Sequence, residues 1–211
     1  SSAASDVYKR QWVEQAFNTK KYAFAADYIR LYALYHHGGI YLDSDVEILK
    51  SLDNFLELPY FVGAETSGTI EAAILGAEKG CDWIKCCLDY YEGRNFIRED
   101  GSYDIRMLPE ILNETILRLK PVINMPSGSN IDDLKKKDLG EAVYVLPKEY
   151  FSPKVFDSRE VFLTPETHAI HHYQNSWFSH KAFAYYRTRT LFIKIFGYKA
   201  VRSLEKMLLK R

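Results

Sequence analysis

No uninterrupted apolar run in the chain approaches the roughly 18 residues that cross a bilayer as a helix. The first residues, SSAASDVYKRQ, also lack the apolar centre of a signal peptide. The expectation is a chain that neither spans a membrane nor carries an export signal. Cysteine is scarce: Cys81, Cys86 and Cys87 are odd in number and crowded together, with no His or Cys at zinc-finger spacing. That argues against a disulfide framework or a zinc finger and for reduced thiols in a cytosolic protein. Net charge is absent as well, since 28 Lys/Arg balance 28 Asp/Glu. Nothing resembles a nucleic-acid-binding motif, and no internal repeat or low-complexity segment is present.

What is present is the composition of a globular domain: 211 residues, 47% apolar and 27% charged, enough for one domain with a real core. Aromatics are plentiful, with 16 Tyr and 12 Phe. The zero net charge hides an asymmetry. From Phe178 onward nine Lys/Arg face a single acid, Glu205, so this tail carries +8 and the remainder −8. Its mixture of aromatics, Leu/Ile and basic residues suits either an interfacial helix on an anionic membrane or a helix packed back on the acidic body.

Hydrophobic spacing predicts helix over 12–37, with Phe24, Tyr28, Leu31 and Tyr35 on one stripe and Gly38-Gly39 ending it. The period then becomes two. Ile40, Leu42, Val46 and Ile48 alternate with Tyr41, Asp43, Asp45 and Glu47, as in one continuous strand with both aspartates on the same side. YFVGAE (60–65) reads as a strand, and 69–93 as one or two helices broken near Gly80. LPEILNETILRLK reads as a helix with Pro109 in its first turn, EAVYVLP as a short strand, and HAIHHYQNSW as a strand entering a loop. Strands and helices interleave, so the fold class is α/β.

The chemistry concentrates in HHGGIYLDSDVEIL, residues 36–49. Two carboxylates one residue apart repel unless a cation lies between them, and their hard oxygens suit Mn²⁺ or Mg²⁺. A lone D-x-D also occurs as two exposed acids at a strand end. An EF-hand would need further acids and a glycine where Val46, Glu47 and Ile48 stand. A metal-dependent phosphohydrolase of the aspartyl-phosphate type would want Gly-Thr after the second aspartate, where this chain has Val-Glu. Upstream, Asp27 and Arg30 lie at i, i+3 on one helix face, the spacing of an ion pair. Downstream, His168, His171, His172, Asn175, Ser176 and Trp177 fall within ten residues.

Together, KYAFAADYIRLYALYHHGGIYLDSDVEIL and HAIHHYQNSW resemble the two signature blocks of glycosyltransferase family 32: D-x-x-R-L, then G-G-x-Y-L-D-x-D, then H-H-x-x-x-S-W. The resemblance covers roughly residues 12–177. It implies a GT-A type α/β fold and a metal-dependent, retaining hexosyltransferase that moves a sugar from a UDP- or GDP-sugar to a saccharide or lipid-linked acceptor, as in capsule or lipopolysaccharide synthesis. Carried over by position, Asp27, Arg30, Asp43 and Asp45 would be the catalytic set. Asp27, Arg30, Tyr41, Asp43, Asn175, Ser176 and Trp177 would bind the donor. Asp43, Asp45 and His172 would hold Mn²⁺ or Mg²⁺. Family members begin with a strand that cradles the base, so 1–11 is expected to be a non-native or disordered leader, 12–177 an N-terminally truncated catalytic domain, and 178–211 an appended basic tail. The expected location is cytoplasmic, peripheral at the inner membrane face. A sugar-binding module without turnover remains the alternative from another class; it would retain Asp27 and Arg30 and tolerate loss of Asp45.

Overall fold

A computed structural model describes residues 11–66, 68–156, 159–174 and 180–208. Helices α1 (Gln11–Asn18) and α2 (Tyr22–His37) open it, followed by strands β1 (Gly39–Leu42), β2 (Val46–Ile48), β3 (Tyr60–Ala64) and β4 (Ile70–Ala77). Then come α3 (Asp82–Asp89), α4 (Leu108–Leu119), β5 (Val122–Asn124), α5 (Ile131–Lys135), β6 (Val143–Val145), β7 (Ala169–His171), α6 (His180–Phe196) and α7 (Tyr198–Leu208). The α/β class expected from the sequence is borne out, with mostly antiparallel pairing. The main sheet has the order β1-β4-β3, all antiparallel; β2 pairs antiparallel with β7, and β5 parallel with β6.

Three local readings change. The helical stretch 12–37 is two helices, because Lys20 adopts a left-handed φ of 59° and the Lys21 N–H reaches back to the Ala16 carbonyl at 2.8 Å. The segment 70–77, read as helix, is a strand buried along its whole length. A continuous apolar run of eight residues fits a fully buried strand as well as a buried helix, and here the environment decides. Ile70, Ala72, Leu75 and Ala77 join a core formed with α1 to α4, while Ile74 joins a second core with Phe55, Phe61, Tyr150 and Phe151. Both faces of the sheet are therefore covered, which removes the polar alternation of a half-exposed strand. The third change concerns residues 40–48 and is taken up with the site.

Two glycines are required by this arrangement. Gly38 ends α2 with φ +70°, donates its N–H to the Leu34 carbonyl at 2.8 Å, and would place a Cβ 2.7 Å from the Lys79 backbone nitrogen. Gly76 on β4 lies directly beneath the buried Phe61 ring, where a Cβ would come within 2.0 Å of ring carbon. At the C-terminal end, α6 and α7 pack as a hairpin clasped by Arg189 and Glu205, whose closest approach is 2.6 Å. Tyr186 of α6 meets Phe156 of the body edge-on, with centroids 5.5 Å apart.

Candidate metal and donor site

β1 ends at Leu42, and the turn that follows is made by the acids themselves. The Asp43 N–H donates to the Ala73 carbonyl of β4 at 2.8 Å, and the Asp43 carbonyl accepts from the Val46 N–H at 3.1 Å. One continuous strand through Asp45 is thus not what forms. Asp-Ser-Asp favours a turn, and β2 leaves the main sheet to pair with β7. The aspartates sit at the junction of two sheets and are not neighbours along one pleated face.

The Asp27–Arg30 ion pair that the i, i+3 spacing suggests is present. Arg30 is only 6% exposed, and its guanidinium spans both acids: Nη2 lies 3.1 Å from Asp27 and 3.2 Å from Asp43. Nη1 donates to the Ala72 carbonyl at 2.8 Å. The guanidinium also covers the Tyr41 ring, 4.6 Å from its centroid, and the Tyr41 hydroxyl donates to Asp43 Oδ1 at 2.5 Å. Asp27, Arg30, Tyr41 and Asp43 therefore form one cluster. Burial pushes the Asp27 carboxyl up to about 7 although the Arg30 charge pulls it down. For Arg30 burial acts to lower the pKa, but the two carboxylates hold it above its ordinary value.

Asp45 faces β7. Its Oδ2 accepts the Gln174 N–H at 2.8 Å, and its carbonyl accepts the His172 N–H at 3.0 Å. Among the described residues, Asp43, Asp45 and His171 form the group that could hold a metal ion, each offering one ligand atom within 4.8 Å of the others. His171 Nε2 is 3.6 Å from Asp45 Oδ2. Two carboxylate oxygens and an imidazole nitrogen are a donor set suited to Mn²⁺ and acceptable to Mg²⁺.

The histidine differs from the one expected. His172 turns away: its Nε2 lies 2.8 Å from Glu47, and its Nδ1 lies 3.3 Å from Lys154 Nζ. The reason is strand alternation. Val46 pairs with His171 across the ribbon, so His172 falls on the opposite face with Glu47, while Asp45 lies in the turn before β2, outside the strand alternation, and its carboxylate meets His171. His168 is spent elsewhere, its Nδ1 2.8 Å from the Glu166 carbonyl and its ring stacked on Tyr150. Asn175, Ser176 and Trp177 lie outside the described residues.

Residues not singled out from sequence complete the surroundings. Glu71 on β4 lies behind His171, with Ser152 and Tyr173 beside it. Lys154 and Arg159 tie the backbone of 172–173 from the other side, donating to the His172 carbonyl at 3.1 and 3.2 Å. A lone acid within the apolar run IEAAILGA was the one signal that could have drawn attention to Glu71, since such a group needs buried partners. A cavity of about 610 Å³ beside Gln15 and Arg94 is lined by none of these residues.

Comparison with known proteins agrees with this geometry. Residues 1–62 match the family model described as the glycosyltransferase sugar-binding region containing a DXD motif. These residues are thus similar to a DXD-type glycosyltransferase region. The chain is 38% identical over 65 residues to glucan organizing enzyme 1 of Cryptococcus neoformans, covering 31% of this chain and 18% of that protein. It is 40% identical over 55 residues to inositol phosphoceramide mannosyltransferase 3 of Schizosaccharomyces pombe, covering 26% and 15%. An uncharacterized glycosyltransferase of Acanthamoeba polyphaga mimivirus is 30% identical over 98 residues, covering 46% and 39%. The chain thus spans between 15% and 39% of the length of these relatives. The solved PaToxG glycosyltransferase aligns at 22% identity with a TM-score of 0.38, over 51% of this chain and 38% of that one. The DXD region contains the Asp27–Arg30 pair and the 43–46 turn, so the resemblance to DXD glycosyltransferases read from the sequence is borne out.

Proposed function

We propose that this chain is the donor-handling part of a metal-dependent, retaining glycosyltransferase of GT-A type that uses a UDP- or GDP-sugar. The observation that carries the reading is the convergence of Asp43, Asp45 and His171 at a turn inside the DXD region, with the buried Asp27–Arg30 pair beside it. Asp43, Asp45 and His171 would hold Mn²⁺ or Mg²⁺, which supplies a Lewis acid for the charge that develops on a departing diphosphate. Lys154, beside His172, adds positive charge on the flank where that diphosphate would leave.

Arg30 is engaged by Asp27, Asp43 and Ala72, so its role in this reading is to hold the two acids apart and oriented, rather than to grip phosphate with a free fork. Asp27, 14% exposed, is left to accept a hydroxyl of the donor sugar, and Tyr41 keeps Asp43 in place. No side chain is assigned as a covalent nucleophile, so attack on the departing face, assisted by the leaving phosphate, is the retaining route proposed. Ser176, Trp177 and Asn175 keep their proposed place at the diphosphate, on the resemblance alone.

For the acceptor, a saccharide or glycolipid is proposed; two of the relatives are named as a glucan organizing enzyme and an inositol phosphoceramide mannosyltransferase. These relatives are fungal and viral, and lend no support to a bacterial capsule or lipopolysaccharide setting. No described helix is long and apolar enough to cross a membrane. Contact with anionic membrane through 178–211 is proposed on the exposed Leu191, Phe192, Ile195, Phe196 and Met207 of a basic helical hairpin.

Calorimetric titration of UDP, GDP and their sugars, with and without Mn²⁺, tests the reading beside Asp45→Ala. Metal-dependent nucleotide binding that disappears in the variant is the expected result and selects the base. Sugar binding indifferent to both Mn²⁺ and Asp45→Ala would instead establish the binding-module reading, and steady phosphate release without an acceptor would favour a phosphohydrolase.

A further inference from the structure

Glu71 stands in the middle of β4, 3% exposed, in a run that is otherwise apolar. A buried carboxylate in such a place is costly unless its lone pairs are filled. Here they are filled by a specific set of donors. Oε1 accepts the Ala73 N–H at 3.0 Å. Oε2 accepts the Ser152 hydroxyl at 2.7 Å and the Tyr173 hydroxyl at 3.3 Å, and lies 3.0 Å from His171 Nδ1.

An ionised carboxylate only accepts, so the Nδ1 that meets it has to carry the proton. In the neutral ring this leaves the Nε2 lone pair pointing at the opposite side, where Asp45 lies 3.6 Å away and Asp43 completes the cluster. The series runs from the sheet interior to the site: Glu71, His171, then the two aspartates. Ser152 and Tyr173 bind the same Oε2, so the carboxylate cannot swing away from the imidazole without breaking both bonds.

We propose that Glu71 is a positioning residue that fixes the Nδ1–H tautomer and the ring orientation of His171, thereby presenting Nε2 to a divalent cation shared with Asp43 and Asp45. The inference rests on the metal reading above and extends it with a residue outside the D-x-D and H-H segments. It also accounts for the choice between adjacent histidines: His172, on the other strand face, has Glu47 and Lys154 as neighbours and, among the described residues, no buried carboxylate behind it. Carboxylate partners of this kind hold metal-bound histidines, and their loss typically weakens metal binding 10–100-fold.

Two measurements on the whole chain test this. The first needs no variant: ¹⁵N shifts of labelled histidines in the metal-free wild type, at a pH where the rings are neutral, report the tautomer of each. The Nδ1–H form at His171 is expected, and a dominant Nε2–H form would overturn the assignment. The second is Mn²⁺ affinity, followed by the loss of the free-ion electron paramagnetic resonance signal. Glu71→Gln, which keeps size and neutralises the acceptor, is expected to weaken binding 10–100-fold. His171→Ala should weaken it at least as much, and the double variant no more than His171→Ala alone. Wild-type affinity in Glu71→Gln beside a weakened His171→Ala would make Glu71 merely structural. Binding that falls in Asp45→Ala but not in His171→Ala would overturn the positioning role and spare the metal reading. No Mn²⁺ binding by the wild type would sink both.

Discussion

Replacing Arg30 by alanine removes the cation that holds Asp27 and Asp43 together. Arg30 is 6% exposed, and its guanidinium lies 3.1 and 3.2 Å from the two acids and donates to the Ala72 carbonyl at 2.8 Å. Breaking a buried ion pair by deleting one partner costs ~3–5 kcal/mol, because the remaining charge is left without compensation. Asp27 has a way to limit that cost. Its carboxyl, already raised to about 7 by burial, takes up a proton near neutral pH instead of staying charged. The expected loss is therefore at the lower end, ~3 kcal/mol, or about 6–12 °C in Tm for a chain of this length. Urea unfolding of Arg30→Ala, Asp27→Asn and the double variant at pH 7.5 closes a thermodynamic cycle, for which a coupling of ~1–3 kcal/mol is expected. The coupling should shrink at pH 5, where Asp27 is neutral in the folded wild type. A loss below about 0.5 kcal/mol in Arg30→Ala, or a cycle that adds without coupling, would refute the shared buried field.

Three further outcomes follow from the same structure. Because Asp27 rises from 3.8 to about 7 on folding, the folded state keeps its proton where the unfolded chain has lost it. That contribution is complete below pH 4 and is lost as pH rises through 7, so Asp27→Asn should gain ~4 kcal/mol on wild type across this window; a pH-independent difference in urea unfolding would contradict the assignment. Gly76→Ala would drive a methyl into the Phe61 ring, which is hemmed in by Phe55 and Phe151 with centroids 4.9 and 5.7 Å away. A cost of ~2–3 kcal/mol is expected, and thermal unfolding within 2 °C of wild type, roughly half a kcal/mol, would show that the sheet accommodates it. His172→Ala should leave Mn²⁺ affinity within about threefold of wild type, well short of the ~10-fold loss of a ligand or its support; a larger fall would return His172 to the metal set.

Much of the architecture was legible in the sequence because its signals are local. The 3.6-residue stripe of α2, the Gly38 stop, Pro109 at the start of α4, and the short strands at 60–64, 143–145 and 169–171 need nothing beyond their neighbours in the chain. The segment 70–77 was not legible, since a strand covered on both faces loses the alternation that marks it and reads like a helix. Misreading that strand also hid Glu71, whose partners lie about 80 and 100 residues away in sequence at Ser152 and His171.

The sequence by itself determined the chemistry available at the site: two acids one residue apart, a cation and a carboxylate one helical turn apart, and histidines in a row. Helical spacing made the Asp27–Arg30 contact nearly inevitable, because i and i+3 share a face in any α-helix. Which histidine meets the acids was decided only by the tertiary structure. The β2–β7 register puts His171 on the Val46 face and His172 on the Glu47 face, and the turn at 43–45 takes Asp45 out of the strand alternation so that its carboxylate comes to His171. No local pattern contains that register; it is settled by the packing of segments about 125 residues apart.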